Sequence, residues 1–232
     1  MTFPSLFSGF VVLVAIGIAG VATRWLDGRA RVVMLAVLAA WLAYATTLGL
    51  TGVASHTDQI PPGLALLTVP VMVAVLGLTL TRPGAVVAAS VPLWLLLGFQ
   101  VFRVGVELSL HHLWSAGLAP RIMTLEGGNI EIVVGITAPV AAWLAFRGTL
   151  GRRVAWVWSL VGILSLGNVI ARAVLSVPGP LDLLHTEVPD LAIVTYPFTF
   201  VPGFLAPLAL ALHVLAFRAF RPRQSTRINP EP

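Results

Sequence analysis

The sequence contains no cysteine and no lysine, and only 10% of its residues are charged. Without cysteine the chain forms no disulfide bond, thiolate metal site or covalent c-type haem. Without lysine it cannot attach a chromophore as a lysine Schiff base, which excludes the chemistry of the seven-helix retinal proteins. The 14 basic residues are therefore all arginines, against 9 acidic residues.

Hydrophobic residues make up 58% of the chain and the mean hydropathy is +0.95. Such a composition is typical of a polytopic membrane protein. A membrane-spanning helix needs about 20 apolar residues, and the sequence holds seven such runs. We predict an all-α fold, a transmembrane bundle of seven helices forming one domain over residues 1–220. The predicted spans are about 4–23, 30–53, 63–81, 85–113, 130–146, 154–177 and 199–217, followed by a short basic and polar cytoplasmic tail at 221–232.

The arginines indicate an orientation. The connections after the first, third and fifth spans, together with the tail, hold 11 of the 14 arginines. The positive-inside rule then predicts the N-terminus outside and the C-terminus in the cytoplasm. No basic segment precedes the first apolar run, so we expect an uncleaved span rather than a signal peptide. The pI near 11.2 reflects these dispersed charges, so the expected partner is the lipid bilayer of the cell (inner or plasma) membrane and not nucleic acid.

The fourth predicted span carries an unusual polar stripe. At about 100° per residue, Gln100, Arg103, Glu107 and His111 fall within about 80° of arc. A charge in hydrocarbon costs at least ~2.5–3.5 kcal/mol, so such residues face a protein interior or a water-filled cavity. The span is also long: 29 residues extend ~43 Å, beyond a ~30 Å hydrocarbon core. We therefore expect it to tilt, to kink at Pro92 or to project from the membrane.

The predicted orientation places several other polar residues at a similar depth. Asn129 and Glu131 open the fifth span, and Asn168 and Arg172 lie on the sixth. We predict a polar cavity in the outer half of the bundle, facing outwards and roofed by the loops after the fourth and sixth spans. The candidate ligand-binding residues are Gln100, Arg103, Glu107, His111, Glu126, Asn129, Glu131, Asn168 and Arg172.

Two other interpretations of these residues remain open. In the first, the charges only lock helices together, with Arg103 paired to Glu107 at i+4 and Arg172 to Glu131. Alternatively Glu107 and His111 have the spacing of two metal ligands, which His185 or Glu126 would complete. No HExxH or GxSxG motif supports a metal or serine hydrolase, and we assign no metal and no cofactor. His213 is expected near the opposite, inner face.

The region from the fourth to the fifth span resembles a family. The pattern Gln100-x-x-Arg103-x-x-x-Glu107 is followed by Pro120-x-x-Met123-Thr124-Leu125-Glu126-Gly127-x-Asn129-x-Glu131 and then by Gly135-Ile136-Thr137-Ala138. It is similar to a group of uncharacterised bacterial multi-pass membrane proteins with a motif closer to MTFEGxNFD. Leu125, Ile130 and Glu131 replace its aromatic residues and aspartate. The resemblance implies a fold and a membrane location, and no activity.

Three functions fit these observations. The first is binding or transport of a small molecule, with the arginines suited to an anionic group. The second is a membrane-embedded enzyme, with Glu107 or Glu126 as general base and His111 or His185 as acid or metal ligand. The third is a structural or accessory membrane subunit. Seven-helix sugar transporters built from two three-helix repeats share the topology, but the first three and last three spans show no convincing likeness. The sequence defines no oligomeric state.

Overall fold

The computed structural model describes residues 2–180 and 182–221, and within these ranges it contains helices and no strand. The predicted tail falls mostly on residues 222–232, which lie outside the described part. We number the main helices α1 (Phe3–Trp25), α2 (Gly28–Leu50), α3 (Gly63–Leu80), α4 (Arg82–Ser90), α5 (Leu93–Ser115), α6 (Glu131–Leu144), α7 (Gly148–Ser176) and α8 (Val201–Phe220). Six of them, all except α4 and α6, are long and apolar enough to cross a membrane.

The fourth predicted span is wrong as one continuous helix, because it divides into α4 and α5. Helix α4 ends at Ser90, and Val91 is extended, with φ −82° and ψ 129°. Proline cannot donate a backbone hydrogen bond, and it disfavours the helical conformation in the residue before it. Pro92 therefore separates the two helices, and the polar stripe belongs to α5 alone.

Helix α6 is shorter than the predicted span at 130–146. Its 14 residues extend about 21 Å, which is less than the ~30 Å hydrocarbon core. It runs antiparallel to α5: the Arg103 side chain meets Glu131 near the start of α6, while Gly98 lies against Ala142 near its end. The loop at 116–130 therefore descends beside α5 from Ser115 to the level of Glu107 before α6 begins.

Contacts between loops define two ends of the bundle. At one end, Gly179 lies against Thr57, and the Arg121 backbone N–H donates to Glu187. The loops at 51–62, 116–130 and 177–200 are thus neighbours. Phe3 stacks on His112 at this same end. At the other end, arginines close the bundle: Arg218 donates to the Thr79 and Thr81 carbonyls, and Arg152 to those of Ala219 and Phe220.

Departures from α-helical geometry occur at the level of the polar stripe. Helix α5 passes through a 3₁₀ turn at Phe99–Val101, and α8 opens with a π-helical turn at Val201–Leu205. Two glycines bring neighbouring helices close: a Cβ on Gly135 would meet the Val104 backbone, and one on Gly162 would lie 2.5 Å from the His213 ring. Helices α5, α6, α7 and α8 therefore meet around Arg103.

Candidate binding site

A buried ion pair joins α5 to α6. The Arg103 side chain donates from Nε to Glu131 Oε2 at 2.8 Å, and its Nη2 also contacts that oxygen. Ser165 on α7 donates to the other carboxylate oxygen at 2.6 Å. Arg103 and Glu131 are only 2% and 7% exposed, so each charge depends on the other for compensation. The expected pairing of an arginine with a carboxylate is confirmed.

The network continues to α8 through His213, which is fully buried. Arg103 Nη1 lies 3.0 Å from His213 Nε2, and Ser159 Oγ lies 2.7 Å from Nδ1. Because a guanidinium only donates hydrogen bonds, His213 Nε2 must be the acceptor for Arg103. The neutral His213 ring then carries its proton on Nδ1, which donates to the Ser159 hydroxyl oxygen. This polarity is the reverse of what a serine nucleophile needs, because the histidine must accept the hydroxyl proton.

The Glu107 carboxylate forms its hydrogen bonds with the descending loop and not with Arg103. Its Oε1 accepts the Leu125 backbone N–H at 2.7 Å, and its Oε2 accepts Asn129 Nδ2 at 2.8 Å. Asn129 also donates to the Met123 carbonyl and accepts the Glu131 backbone N–H. The pair between Arg103 and Glu107, which the packing interpretation suggested, is therefore not formed: the cation turns across to α6, where its Nε and Nη2 both donate to Glu131 Oε2.

Arg172 also binds the loop. Its Nη1 donates to the Ile122 and Gly127 carbonyls at 3.1 and 2.8 Å. The predicted pair of Arg172 with Glu131 is consequently not formed. A guanidinium satisfies two loop carbonyls that the 3₁₀ turns at Arg121–Met123 and Leu125–Gly127 leave free. Glu107 and Arg172 thus fix the loop from α5 and α7.

Acidic groups at the loop surface form a separate cluster. His111 Nδ1 lies 3.2 Å from Glu126 Oε1, with both side chains substantially exposed. The backbone N–H of Glu126 and the hydroxyl of Thr124 lower the pKa of Glu126, and the Arg121 backbone N–H lowers that of Glu187. His185 pairs with Asp182 at 3.7 Å instead. Within the described residues no three His, Cys, Asp or Glu side chains are grouped to hold a metal.

The remaining predicted site residues lie apart from the ion pair. Gln100 is fully buried and donates to the Ala209 carbonyl at 3.0 Å, while its Oε1 has no hydrogen-bond partner among the described residues. Asn168 is exposed on the outside of α7. It does not border the cavity described next, although the sequence placed it among the candidate ligand-binding residues.

A cavity of about 350 Å³ lies between α3 and α7, with α5 and α8 behind it. Most of its lining is apolar, including Leu64 and Met72 of α3 and Ile170 and Val174 of α7. The polar residues that border it are Thr68, Arg103, Glu107, Asn129 and Glu131. On α3 the lining includes Val69, Val73 and Leu76, which are also 56%, 65% and 38% exposed on the outside of the bundle. The cavity therefore opens sideways.

The sequence did not predict that His213, Ser159 and Ser165 belong to this network. The depth argument placed His213 near the inner face, yet it reaches Arg103 because the guanidinium extends from α5 toward α8. The sequence signal that bears on this contact is Gly162 on α7. Because it has no side chain, the His213 ring can pack against the helix backbone there. A glycine within a long apolar helix indicates a close neighbour, but not which one.

Together these features define a multi-pass membrane protein with a polar network and an apolar cavity inside its helix bundle. The model of one protein family, described as a domain of unknown function (DUF8737), matches residues 60–221. That match runs from the loop before α3 to the end of α8, so the chain belongs to this family and the matched region contains the whole site. No curated protein and no solved structure matches the chain.

Proposed function

We propose that this protein binds a small amphiphilic molecule that enters its bundle from the lipid bilayer. The observation that carries the proposal is the cavity between α3 and α7, apolar over most of its wall and polar at Thr68, Arg103, Glu107, Asn129 and Glu131. Ligand sites are typically apolar clefts of ~300–1,000 Å³ with a few placed polar groups. The apolar wall suits a hydrocarbon body, and the polar side suits a head group.

The backbone around the cavity supports the same proposal. Loop backbone lies at the depth of Glu107 only because Glu107, Asn129 and Arg172 satisfy its polar groups, and such backbone at membrane depth is tolerated beside cavities. The π-helical turn at Val201–Leu205 contributes Val201, Pro202 and Leu205 to the wall. Single π turns inside helices occur frequently at functional sites.

A packing role and an enzyme are the competing functions. The contacts of Arg103 with Glu131, His213 and Gly162 favour packing for that part of the network, because they leave few donors free. They do not account for an open apolar space beside it. The reversed polarity of His213 and Ser159 gives the enzyme reading no support, and we propose no catalytic step.

The topology belongs to the proposal as well. We propose seven crossings, with the descending loop and α6 together forming the fifth, the N-terminus outside and the C-terminus in the cytoplasm of a bacterial cell. Support comes from the arginine distribution and from the arginine contacts at one end of the bundle. The kinship with the bacterial group carrying the MTFEGxNFD-like motif is proposed on the residues from Met123 to Glu131.

Photolabelling of the protein in liposomes tests the binding function. The probe is a dodecanol with a diazirine in its chain, and labelled peptides are mapped by mass spectrometry. We expect labelling concentrated on α3 and α7 beside the cavity. Ala173→Trp fills the cavity wall and should remove this labelling. Ala171→Trp, on the exposed face of the same helix, is the matched control and should leave it unchanged. Equal, scattered labelling of all three proteins would overturn the proposal.

A further inference from the structure

The hydrogen bonds of the cavity's polar residues select among ligands. We infer that the bound amphiphile has a cationic or hydrogen-bond-donating head group, which is received by Glu107, and that an anionic head group is rejected. This inference rests on the proposed function and specifies its ligand class. Its basis is the number of donor and acceptor positions that each of Arg103, Asn129, Glu131 and Glu107 has left to offer.

The donors that border the cavity are almost all in use. Arg103 has five N–H groups, and its contacts run to Glu131 from Nε and Nη2, to Gly162 from Nη2 and to His213 from Nη1. One N–H remains. Asn129 donates both of its amide hydrogens, one to Glu107 and one to the Met123 carbonyl. An anionic head group would therefore find little to hold it.

The acceptors are less fully used. A carboxylate has about four lone-pair positions, and Glu131 fills three with Arg103 and Ser165. Glu107 fills only two, with the Leu125 N–H and Asn129, both of them neutral groups. Among the described residues no cation forms an ion pair with Glu107. Glu107 is 3% exposed to solvent, and it is the charged acceptor on the cavity wall with the most capacity left. The hydroxyl of Thr68, which donates to the Leu64 carbonyl, adds a neutral acceptor to the wall.

The formal charge of the wall agrees with this count. Arg103 contributes one positive charge, while Glu107 and Glu131 contribute two negative charges. With all three ionised the polar side therefore carries one excess negative charge, in surroundings where an unpaired charge is costly. A bound cation would remove the excess. A metal ion fits poorly, because it requires four or more ligands and most of this wall is hydrocarbon.

The size and opening of the cavity limit the apolar part of the ligand and its route of entry. Its 350 Å³ accommodates an alkyl chain or a compact ring system, and its sideways opening past Val69 and Val73 faces the region where lipid tails would lie. A molecule dissolved in the bilayer can then enter without leaving hydrocarbon. The inferred class is thus a membrane-partitioning amine or a similarly donating neutral amphiphile.

Three photoprobes of equal chain length test the head-group preference in liposomes: the diazirine forms of dodecylamine, dodecanol and dodecanoic acid. Labelling of cavity peptides is expressed relative to labelling of exposed lipid-facing peptides, which corrects for partitioning. We expect the amine to exceed the acid by at least about tenfold, since close charge pairs couple by ~1.5 kcal/mol or more. The alcohol should lie between them.

Glu107→Gln is the decisive variant. It should bring the ratio of amine to acid labelling to about one, and SDS titration checks separately that the variant is folded; if it is not, the ratio measured on the wild type remains the test. If, in the wild type, the alcohol labels the cavity but the amine and the acid label it equally, the head-group inference is wrong and the binding function stands. If the acid exceeds the amine, the inference is reversed outright. If no probe labels the cavity of the wild type more than that of Ala173→Trp, the proposed function itself fails.

Discussion

Arg103 ties four helices together, since its contacts extend from α5 to Glu131 of α6, Gly162 of α7 and His213 of α8. The stabilising effect of such a residue depends on its partners more than on its own charge. A buried cation is tolerable when it is paired, and it becomes a large penalty when its partner is removed. This dependence can be measured.

A double-mutant cycle should find Arg103 coupled to Glu131. Either Arg103→Met or Glu131→Leu alone strands a buried charge and should lower the unfolding free energy by about 3–5 kcal/mol. The two together should cost clearly less than the sum of the singles. The measurement is unfolding in mixed micelles by SDS titration.

The matched control is the cycle of Arg103→Met with Glu107→Leu, because Glu107 bonds the loop and not Arg103. Its coupling energy should be the smaller of the two. Equal coupling energies in both cycles would contradict the pairing described here, as would strict additivity for Arg103 and Glu131.

The burial of Asp190 should make the stability of the protein depend on pH. The residue is fully buried in the loop before α8, and burial raises the pKa of its carboxyl from 3.8 to about 7, although the nearby Ile193 N–H offsets part of the effect. A folded-state pKa above the unfolded value means that the group stabilises the fold at pH below about 4 and loses this effect as pH rises through about 7.

Asp190→Asn should therefore gain stability relative to the wild type as the pH rises from 4 to 8, and it should be the more stable protein at pH 8. The measurement is Tm in detergent across this range. Asp58→Asn, in an exposed loop position, is the control and should follow the wild type. A constant difference between Asp190→Asn and the wild type at every pH would refute the assignment.

At the residue scale the sequence predicted which polar residues are buried better than it predicted their partners. Gln100, Arg103 and Glu107 are buried, as helix periodicity and the cost of charge in hydrocarbon required, and so are Asn129 and Glu131, whereas the predicted site residue Asn168 is exposed. The partners depend on how far each side chain reaches between helices. Periodicity contains no information on that reach, which is why the i+4 pair of Arg103 and Glu107 was expected and the contact with His213 was not.

At the scale of elements, the approach of α7 to its neighbours depends on Gly162. A Cβ there would lie 2.5 Å from the His213 ring and 3.3 Å from Val134. Both neighbours are held, His213 by Arg103 and Ser159 and Val134 by its place in the core. The added methyl group must therefore displace α7 or break the network.

Gly162→Ala should destabilise the protein by about 1–3 kcal/mol, the usual cost of overpacking. Gly167→Ala on the same helix has nothing within 4 Å of its new Cβ and should be neutral or stabilising by up to ~1 kcal/mol, because alanine is the better helix former. Both are measured by SDS titration beside the wild type. Similar values for the two variants would show that α7 does not pack against His213 as described.

Element boundaries were predictable from sequence where a local cause sets them. Pro92 divides α4 from α5, and it was the expected kink. The start of α6 at Glu131 lies within one residue of the predicted start at 130, whereas its end at Leu144 comes before the predicted 146. A hydropathy pattern shows an apolar run, but not the residue at which the helix within it ends.

For the whole molecule, the short helix α6 decides how many times the chain crosses the membrane. If the descending loop and α6 complete a crossing, the ends of the chain lie on opposite sides. If they do not, the count is six and Ala116 lies on the same side as Thr149. The absence of native cysteine makes single introduced cysteines unambiguous reporters of this difference.

We predict that cysteines at Asp58, Ala116 and Leu183 react with an impermeant maleimide in intact cells, and that cysteines at Asp27 and Thr149 react only after the membrane is permeabilised. All five positions are exposed on the bundle, so accessibility to solvent does not bias the comparison. The arginine contacts at the Thr149 end give the physical reason, because positive charge is retained in the cytoplasm. Labelling of both Thr149→Cys and Ala116→Cys from outside would show that α6 does not complete a crossing, and it would also contradict the placement of these two residues at opposite ends of the bundle.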